Sequence, residues 1–276
     1  MAASSIGICG IGFVGEAILT TFMKFMHIDN TVINKVQPYD KYKSLGSLED
    51  LLPCDIIFLC LPTPFNDYTD TFDTVELDAT LAILARYGYN GLIVIKSTVG
   101  IGYTASKNAK FPGLRIINNP EFLSTRTAVS DFENQRQIIL GYDPVKQIDF
   151  IALLRIYDYF FKNSKITVCK SFEAEACKLF CNAFYATKVQ FFTEMWDLCS
   201  KKNIDYATVK SMMLDNGWIN PMHTNVPGPD GLISFGGACF PKDLRALLGQ
   251  MIETRSYHNV VAAVAIEQND IRGGLS

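Results

Sequence analysis

Residues 7–17 read GICGIGFVGEA and place the spacing G-x-G-x-x-G at Gly10, Gly12 and Gly15. The apolar run SIGICG leads into this motif, and EAILTTFMKFM continues it with the apolar spacing of a helix. In a strand–turn–helix unit the first glycine permits a tight turn, the second lets the backbone approach a pyrophosphate, and the third lets the helix pack on the strand. The motif therefore predicts a dinucleotide-binding turn. The alternative is a glycine-rich turn of another α/β protein.

The rest of the amino-terminal half alternates between apolar runs and helix-length segments. GLIVIKST, LRIINNP, RQIILGY and KITVCK predict strands, and the uninterrupted run CDIIFLCLP is typical of a strand buried on both faces. Strands separated by helices indicate a parallel sheet covered by helices. We expect an α/β fold, with a Rossmann-like parallel sheet over residues 1–170, a long connecting helix over 171–201 and a small helical domain over 202–276.

Composition and charge argue against several classes of protein. The chain has 276 residues, a net charge of −3 and 49% hydrophobic residues, which is the profile of a globular protein. No apolar run reaches transmembrane length and no basic excess is present, so we expect neither a membrane nor a nucleic acid as partner. The eight cysteines, several within apolar runs, indicate reduced thiols in a cytoplasmic protein. The three histidines lack metal-ligand spacing, so we expect no metal site.

Several side chains that follow predicted strands are candidates for a ligand site, because ligands of open α/β sheets bind at the carboxyl ends of the strands. Asp40 follows the second strand, where a carboxylate bonds the adenosine ribose and favours NAD over NADP. Thr63 in LPTPF, Thr98 in KSTVGIG and Glu121 in NNPEFLS each follow another strand. Each loop taken alone also fits ordinary turn chemistry. Together they predict one crevice.

The segment SFEAEACKLFCNAFYATKVQFFTEMWDLCSKK contains no proline or glycine and predicts one long helix. It opens with a serine and a glutamate in capping positions. Lys178 and Asn182 are four residues apart and share a helical face, although Lys178 taken alone is typical of a solvated charge. The helix is apolar nearly all round, which indicates burial inside the fold or against a partner subunit. We expect a homodimer through this helix.

The block GGACFPKD, residues 236–243, places a thiol, an amine and a carboxylate close together on a backbone loosened by glycine. With GICGIGFVG, PTPF, KSTVG, NNPEFLS and EAEACKLFCNAFYATKVQFFTE, in this order along the chain, it resembles the UDP-glucose/GDP-mannose dehydrogenase family. The resemblance covers nearly the whole chain. It implies a four-electron, NAD-dependent oxidation of the primary alcohol of a nucleotide-sugar to a carboxylate, with UDP-glucose as the expected substrate.

The resemblance also implies roles for individual residues. Cys239 would trap the intermediate aldehyde as a thiohemiacetal and then carry a thioester that water hydrolyses. Asp243 would activate this water or shuttle a proton, while Lys178 and Asn182 would stabilise the oxyanion. Thr98 and Glu121 would line the site of hydride transfer. The residues implied at the cofactor are Gly10, Gly12, Gly15, Asp40, Thr63, Thr98 and Lys242. The residues implied at the substrate are Glu121, Phe122, Leu123, Lys178, Asn182 and Gly236.

The chain departs from the family pattern in three places. Thr125 stands where many members have a second glutamate, and Trp218 stands where they have an arginine. The chain ends at Ser276, where members continue into a nucleotide-gripping domain, so we expect a short form or a fragment. Two alternatives stay open. One is a two-electron dehydrogenase of the hydroxyacid or 6-phosphogluconate type, which would not need Cys239. The other is a non-catalytic NAD-binding dimer.

Overall fold

The computed structural model describes residues 3–273, and these form two compact units. The first unit comprises the described residues as far as Pro64, together with Asp73–Lys178. The second comprises Phe65–Phe72 and the described residues from Leu179 onward. The division into three domains that the sequence suggests stays a prediction.

Strands and helices alternate along the first part of the chain, and helices dominate the rest. The strands are β1 (Ser4–Cys9), β2 (Ile33–Tyr39), β3 (Ile56–Leu59), β4 (Phe65–Asn66), β5 (Thr71–Phe72), β6 (Leu92–Ile95), β7 (Arg115–Asn118), β8 (Gln137–Tyr142) and β9 (Lys165–Lys170). The helices are α1 (Phe13–Ile28), α2 (Val75–Arg86), α3 (Tyr103–Lys110), α4 (Ala128–Glu133), α5 (Ile151–Phe160), α6 (Ser171–Lys202), α7 (Tyr206–Asp215), α8 (Phe240–Glu253) and α9 (Asn259–Arg272).

A seven-stranded sheet in the order β2–β1–β3–β6–β7–β8–β9 forms the centre of the first unit. Neighbouring strands run parallel except for β7 and β8, which meet antiparallel at Asn118 and Gly141. The predicted α/β fold is confirmed, with this one antiparallel contact as a refinement. The strand order reverses between β1 and β3, and ligands of such sheets bind beyond the carboxyl ends of the strands at this reversal.

The central strand β3 has the sequence IIFL and is apolar on both sides, because successive side chains of a strand point to opposite faces of the sheet. In β3, Ile56 and Phe58 pack in the cluster that includes α1 and α5, whereas Ile57 and Leu59 pack in the cluster that includes α2. Burying each such side chain contributes about 1.5–3 kcal/mol. This double burial explains the uninterrupted apolar run of β3. The predicted apolar stripe of α1 is buried as well, through Ile18, Phe22 and Phe25.

A short hairpin made of β4 and β5 belongs to the second unit and packs on α8. The guanidinium carbon of Arg245 lies 4.1 Å from the centre of the Phe65 ring, and Lys242 Nζ lies 4.8 Å from the centre of the Phe72 ring. Gly249 permits the close approach, since a Cβ there would stand 2.2 Å from a backbone oxygen of the hairpin. The hairpin is therefore held by contacts with a helix far along the sequence.

The long helix predicted over 171–201 is α6, which spans Ser171–Lys202. Of its two predicted capping residues, Glu173 accepts a hydrogen bond from the Lys170 N–H at 2.8 Å. The Ser171 hydroxyl, in contrast, is buried without a hydrogen-bond partner in the described chain. Ser171 packs closely on Gly141, where a Cβ would lie 2.9 Å from the Ser171 Cα. Within residues 3–273, no helix is both long and apolar enough to cross a membrane.

Candidate active site

The glycine-rich turn between β1 and α1 uses its three glycines for different purposes. Gly10 has a φ of +89°, and a Cβ there would stand 2.6 Å from the Cys60 carbonyl oxygen. A Cβ on Gly15 would stand only 1.9 Å from the Gly10 carbonyl oxygen, so this glycine lets α1 lie against the turn. A Cβ on Gly12 would have no neighbour within 4 Å in the described chain. Gly10 and Gly15 therefore serve the fold, while Gly12 leaves open space.

The start of α1 offers hydrogen-bond donors beside this open space. Gly12 is the N-cap, and no side chain among residues 3–273 caps the helix there. The first N–H groups of a helix lack intrahelical acceptors, and the helix dipole adds positive potential at this end. Open space next to unmatched donors fits the pyrophosphate of a dinucleotide. The residues present therefore fit the cofactor that the motif predicts.

Asp40, directly after β2, connects the glycine-rich turn to the loop that follows β2. Its Oδ2 accepts the Ile11 N–H at 2.7 Å, and its Oδ1 accepts the N–H groups of Tyr42 and Lys43, each at 2.9 Å. Partial burial raises the pKa of Asp40, but these backbone hydrogen bonds outweigh it and hold the pKa below its usual value. Asp40 is thus a carboxylate that keeps its charge next to the glycine-rich turn. Its bond to a ribose stays a prediction.

The loops that follow β3 and β6 are tied together by two hydroxyl groups. The Thr63 hydroxyl donates to the Thr98 carbonyl at 2.7 Å. The neighbouring Ser97 hydroxyl donates to the Leu61 carbonyl, also at 2.7 Å. The structure therefore brings the two predicted threonines into direct contact, at the carboxyl ends of adjacent strands. Their contacts with the cofactor stay predictions.

A buried ion pair, a hydrogen bond and a ring contact join four of the predicted substrate residues. Lys178 Nζ lies 2.8 Å from Glu121 Oε1, and each of the two side chains is only 6% exposed. Glu121 Oε2 accepts the Leu123 N–H at 2.6 Å, and Lys178 Nζ lies 5.3 Å from the centre of the Phe122 ring. Lys178 is therefore not the solvated charge that its sequence position alone suggests. Its position on the first turns of α6 places it against the loop after β7.

Two further polar residues at the same edge of the sheet are missing from the sequence prediction. Lys96 follows β6 and is buried, and its Nζ donates to Asn119 Oδ1 at 3.2 Å and to the Pro120 carbonyl at 3.4 Å. Burial lowers the pKa of Lys96 to about 8. Asn118 ends β7, and its side-chain oxygen is buried without a hydrogen-bond partner among the residues that the structure describes. No local pattern marks either residue as buried.

In the second unit, the predicted thiol, amine and carboxylate lie at the start of α8. Cys239 is the half-buried N-cap residue, where the helix dipole favours negative charge, and its carbonyl accepts the Asp243 N–H at 3.0 Å. Asp243 is fully buried. Its Oδ2 accepts a hydrogen bond from Asn182 Nδ2 at 2.6 Å, and its Oδ1 lies 2.5 Å from Lys242 Nζ. The four residues form one cluster, in which an amide and an ammonium hold a buried carboxylate.

The remaining predicted residue, Gly236, lies against α9. A Cβ on Gly236 would stand 2.5 Å from Arg272 Nη1, while the guanidinium donates to Asp230 Oδ2 at 2.7 Å and to the Ser234 carbonyl at 2.6 Å. Close packing with Arg272 therefore accounts for this glycine, and its contact with a substrate stays a prediction. Trp218 is 91% exposed, and its correspondence to an arginine of the family pattern stays a prediction.

A cavity of about 410 Å³ lies at the opposite edge of the sheet. Its lining includes Ile56, Leu92 and Arg115, the first residues of β3, β6 and β7. Because ligands of open α/β sheets bind at the carboxyl ends of the strands, this cavity is not the candidate site.

Comparison with known proteins agrees with this geometry. A family model described as the UDP-glucose/GDP-mannose dehydrogenase family, NAD binding domain, matches residues 28–161, and the model of the central domain of the same family matches residues 172–270. The match to an NAD-binding domain, with the glycine-rich turn preceding it, identifies the dinucleotide as NAD.

Individual relatives point the same way. The chain is 29% identical to a UDP-glucose 6-dehydrogenase of Campylobacter jejuni, over 96% of this chain and 72% of that protein. It is 32% identical to a UDP-glucose 6-dehydrogenase of Rickettsia prowazekii, over 79% of this chain and 50% of that protein. The chain thus spans between half and three quarters of these relatives. The solved structure of a UDP-glucose dehydrogenase from Pyrobaculum islandicum superposes with a TM-score of 0.82 at 23% identity, over 97% of this chain and 68% of that one, and so shares its fold.

Proposed function

Because the chain belongs to the UDP-glucose/GDP-mannose dehydrogenase family, we propose that it is an NAD-dependent nucleotide-sugar dehydrogenase. The proposed reaction oxidises the primary alcohol of UDP-glucose to the carboxylate of UDP-glucuronate. The similarity to UDP-glucose 6-dehydrogenases of Campylobacter jejuni and Rickettsia prowazekii supports this substrate. The observation that carries the proposal is the start of α8, where Cys239 is the N-cap and a buried, charge-paired Asp243 follows one turn later.

The cofactor would be held by the residues of the glycine-rich turn. Gly12 and the first turn of α1 would receive the pyrophosphate, and Asp40 would bond the adenosine ribose. Thr63 and Thr98 would line the reactive end. NAD⁺, when bound, supplies a hydride acceptor for each of the two oxidations.

Cys239 would keep the aldehyde of the first oxidation on the protein. Its sulfur attacks the carbonyl carbon, a C–S bond forms, and the oxygen takes up a proton to give a thiohemiacetal. Loss of a hydride from this carbon and of the hydroxyl proton leaves a thioester. Water then adds to the thioester carbonyl, the C–S bond breaks, and the thiol is restored as the carboxylate leaves. Overall, one alcohol and one water become one carboxylate, two hydrides are removed, and three protons are released.

The buried polar side chains would manage the charges of these steps. Asp243 would take a proton from the attacking water, and its bonds to Asn182 and Lys242 fix the carboxylate in one orientation. Lys178 brings a buried positive charge that would stabilise an oxyanion, since such charges act strongly where water is excluded. Glu121, paired with Lys178, would act at the substrate alcohol.

We also propose that two copies of the chain associate through α6. Phe180, Phe184, Phe191 and Leu198 are exposed, and their separations of four, seven and seven residues place them on one stripe of the helix. Phe184 is the most exposed of the four, at 63%. An apolar stripe with coiled-coil spacing fits the same stripe of a second copy around a two-fold axis.

Substitution of Cys239 tests the proposed chemistry. Cys239→Ser should still attack the aldehyde but stall as an ester, which hydrolyses more slowly than a thioester, so intact-mass spectrometry should show an acylated chain. Cys239→Ala should stop at the aldehyde, with a loss on the order of 10⁴–10⁶ in kcat for the complete oxidation. Cys177→Ser, on α6, is the matched control and should keep the wild-type rate.

The outcomes separate the alternatives. If Cys239→Ala still gives two NADH per sugar at nearly the wild-type rate, Cys239 is structural and the proposed chemistry is wrong. One NADH per substrate in the wild type would identify a two-electron dehydrogenase. NAD binding without turnover of any nucleotide-sugar would identify a non-catalytic protein.

A further inference from the structure

We infer that Lys96 is a positioning residue, which holds Glu121 in its reactive orientation by fixing the turn Asn119–Pro120 that precedes it. The inference rests on the proposed function, in which Glu121 acts at the substrate. All of these residues lie in the first unit, at the carboxyl ends of β6 and β7.

The two hydrogen bonds of Lys96 are aimed at the backbone that presents Glu121. Lys96 Nζ donates to Asn119 Oδ1 at 3.2 Å and to the Pro120 carbonyl at 3.4 Å. The Pro120 carbonyl belongs to the same planar peptide unit as the Glu121 N–H. Holding this carbonyl therefore fixes the plane from which the Glu121 side chain departs. A rotation of this peptide would move the carboxylate away from Lys178, its partner at 2.8 Å.

The positive charge of Lys96 does not stabilise the fold. No carboxylate among residues 3–273 forms an ion pair with it, although Glu121 lies close enough to favour the ammonium and Lys178 close enough to oppose it. Cys60, which directly follows β3, is a neutral neighbour, since burial raises the pKa of its thiol to about 12. The Phe132 ring of α4 lies 5.8 Å from Lys96 Nζ. A buried ammonium without a paired carboxylate opposes folding, so an uncharged side chain of similar shape would pack more favourably.

The protonation of Lys96 gives the inference a pH dependence. Burial lowers its pKa to about 8 from the ordinary value of 10.5. Because the folded state releases this proton before the unfolded state does, the ammonium opposes folding fully below about pH 8, and this effect is relieved as the pH rises from about 8 to 10.5. The charged form is also the form that holds the turn, so the positioning effect has the opposite pH dependence. It is complete below about pH 8 and declines above it.

Kinetics of two variants distinguish positioning from structural support. Lys96→Met keeps the shape but removes the charge and both donors, and it should lower kcat about 10- to 100-fold, as a small misplacement of a reacting group does. The KM for NAD should stay at the wild-type value, and the melting temperature should not fall. The matched control is Tyr157→Phe, which removes the other donor to Asn119 Oδ1, at 2.6 Å, and leaves the Pro120 bond intact. It should keep the wild-type kcat. The alkaline decline of kcat that begins near pH 8 in the wild type should be absent from Lys96→Met.

Amide hydrogen exchange tests the same inference without any turnover. In Lys96→Met, exchange in the segment 119–123 should be at least about tenfold faster than in the wild type, while other segments and Tyr157→Phe are unchanged. Unchanged exchange in this segment overturns the inference, as does a wild-type kcat or a large loss of melting temperature in Lys96→Met. If the wild type oxidises no nucleotide-sugar, the proposed function fails, and the exchange result still decides whether Lys96 fixes the turn.

Discussion

Replacing Gly12 with alanine separates cofactor binding from folding. Gly12 has a φ of −76° and a ψ of −165°, an extended conformation that alanine adopts without strain. In the described chain nothing lies within 4 Å of the added Cβ. The folded protein should therefore accept the methyl group, and the stiffer unfolded chain should add about 0.4–1 kcal/mol to the free energy of unfolding. The same methyl group would occupy the space proposed for the pyrophosphate.

The expected loss of affinity follows from the hydrogen bonds that the methyl group displaces. One hydrogen bond to a charged group contributes about 1.5–3 kcal/mol, so Gly12→Ala should raise the Kd for NAD about 10- to 150-fold. Gly15→Ala is the matched control. Its Cβ would stand 1.9 Å from the Gly10 carbonyl oxygen and 3.4 Å from Cys60 Cβ, which forces α1 away from β1. Overpacking of this kind costs about 1–3 kcal/mol or more of stability.

Urea unfolding and calorimetry measure the two effects separately. Gly12→Ala should unfold at the wild-type urea concentration or slightly above it and bind NAD weakly, whereas Gly15→Ala should lose stability as well as binding. Wild-type NAD affinity in Gly12→Ala would refute the placement of the pyrophosphate at this turn. A loss of several kcal/mol in the unfolding free energy of Gly12→Ala would show that the space beside Gly12 is not open in the folded protein.

Three further predictions concern the cofactor, the buried ion pair and assembly. NAD should bind more tightly than NADP in calorimetry, because Asp40 would repel a 2′-phosphate; equal affinities would reject this role for Asp40. Glu121→Gln leaves the Lys178 ammonium buried without its carboxylate and should lower the free energy of unfolding by about 3–5 kcal/mol in a urea titration; an unchanged midpoint would show that the pair is not buried as described. Light scattering at micromolar concentration should give twice the mass of one chain and a smaller mass for Phe184→Asp, and a monomeric wild type would contradict the proposed dimer.

The sequence predicts the first unit well because its signals are local. The glycine motif determines a turn within six residues, and the strand β3 is recognisable from its own uninterrupted apolar run. The hairpin of β4 and β5 gives no such signal. Each of its strands has two residues, too few for an alternating pattern, and the contacts with Arg245 and Gly249 come from far along the chain. The antiparallel contact of β7 with β8 is likewise a tertiary property.

The residues of the candidate site also differ in how well the sequence predicts them. Glu121 and Asp40 are predictable because they follow strands, and ligands bind at strand ends. Lys178 is ambiguous from sequence, since its burial depends on Glu121, 57 residues earlier. Lys96 has the same ambiguity, and although it begins the KSTVG block, that block predicts a role only for Thr98. Lys96 is buried beside Asn119, which follows β7, and the Phe132 ring of α4, and only the folded chain brings these side chains to it.

The number of NADH molecules formed per sugar tests the central proposal most directly. The protein would be incubated with NAD⁺ and a panel of nucleotide-sugars, with NADH followed by absorbance and the products identified by mass spectrometry. We predict that UDP-glucose gives two NADH per molecule and a carboxylate product, without release of the aldehyde. One NADH per molecule, or NAD binding with no oxidation of any nucleotide-sugar, would contradict it.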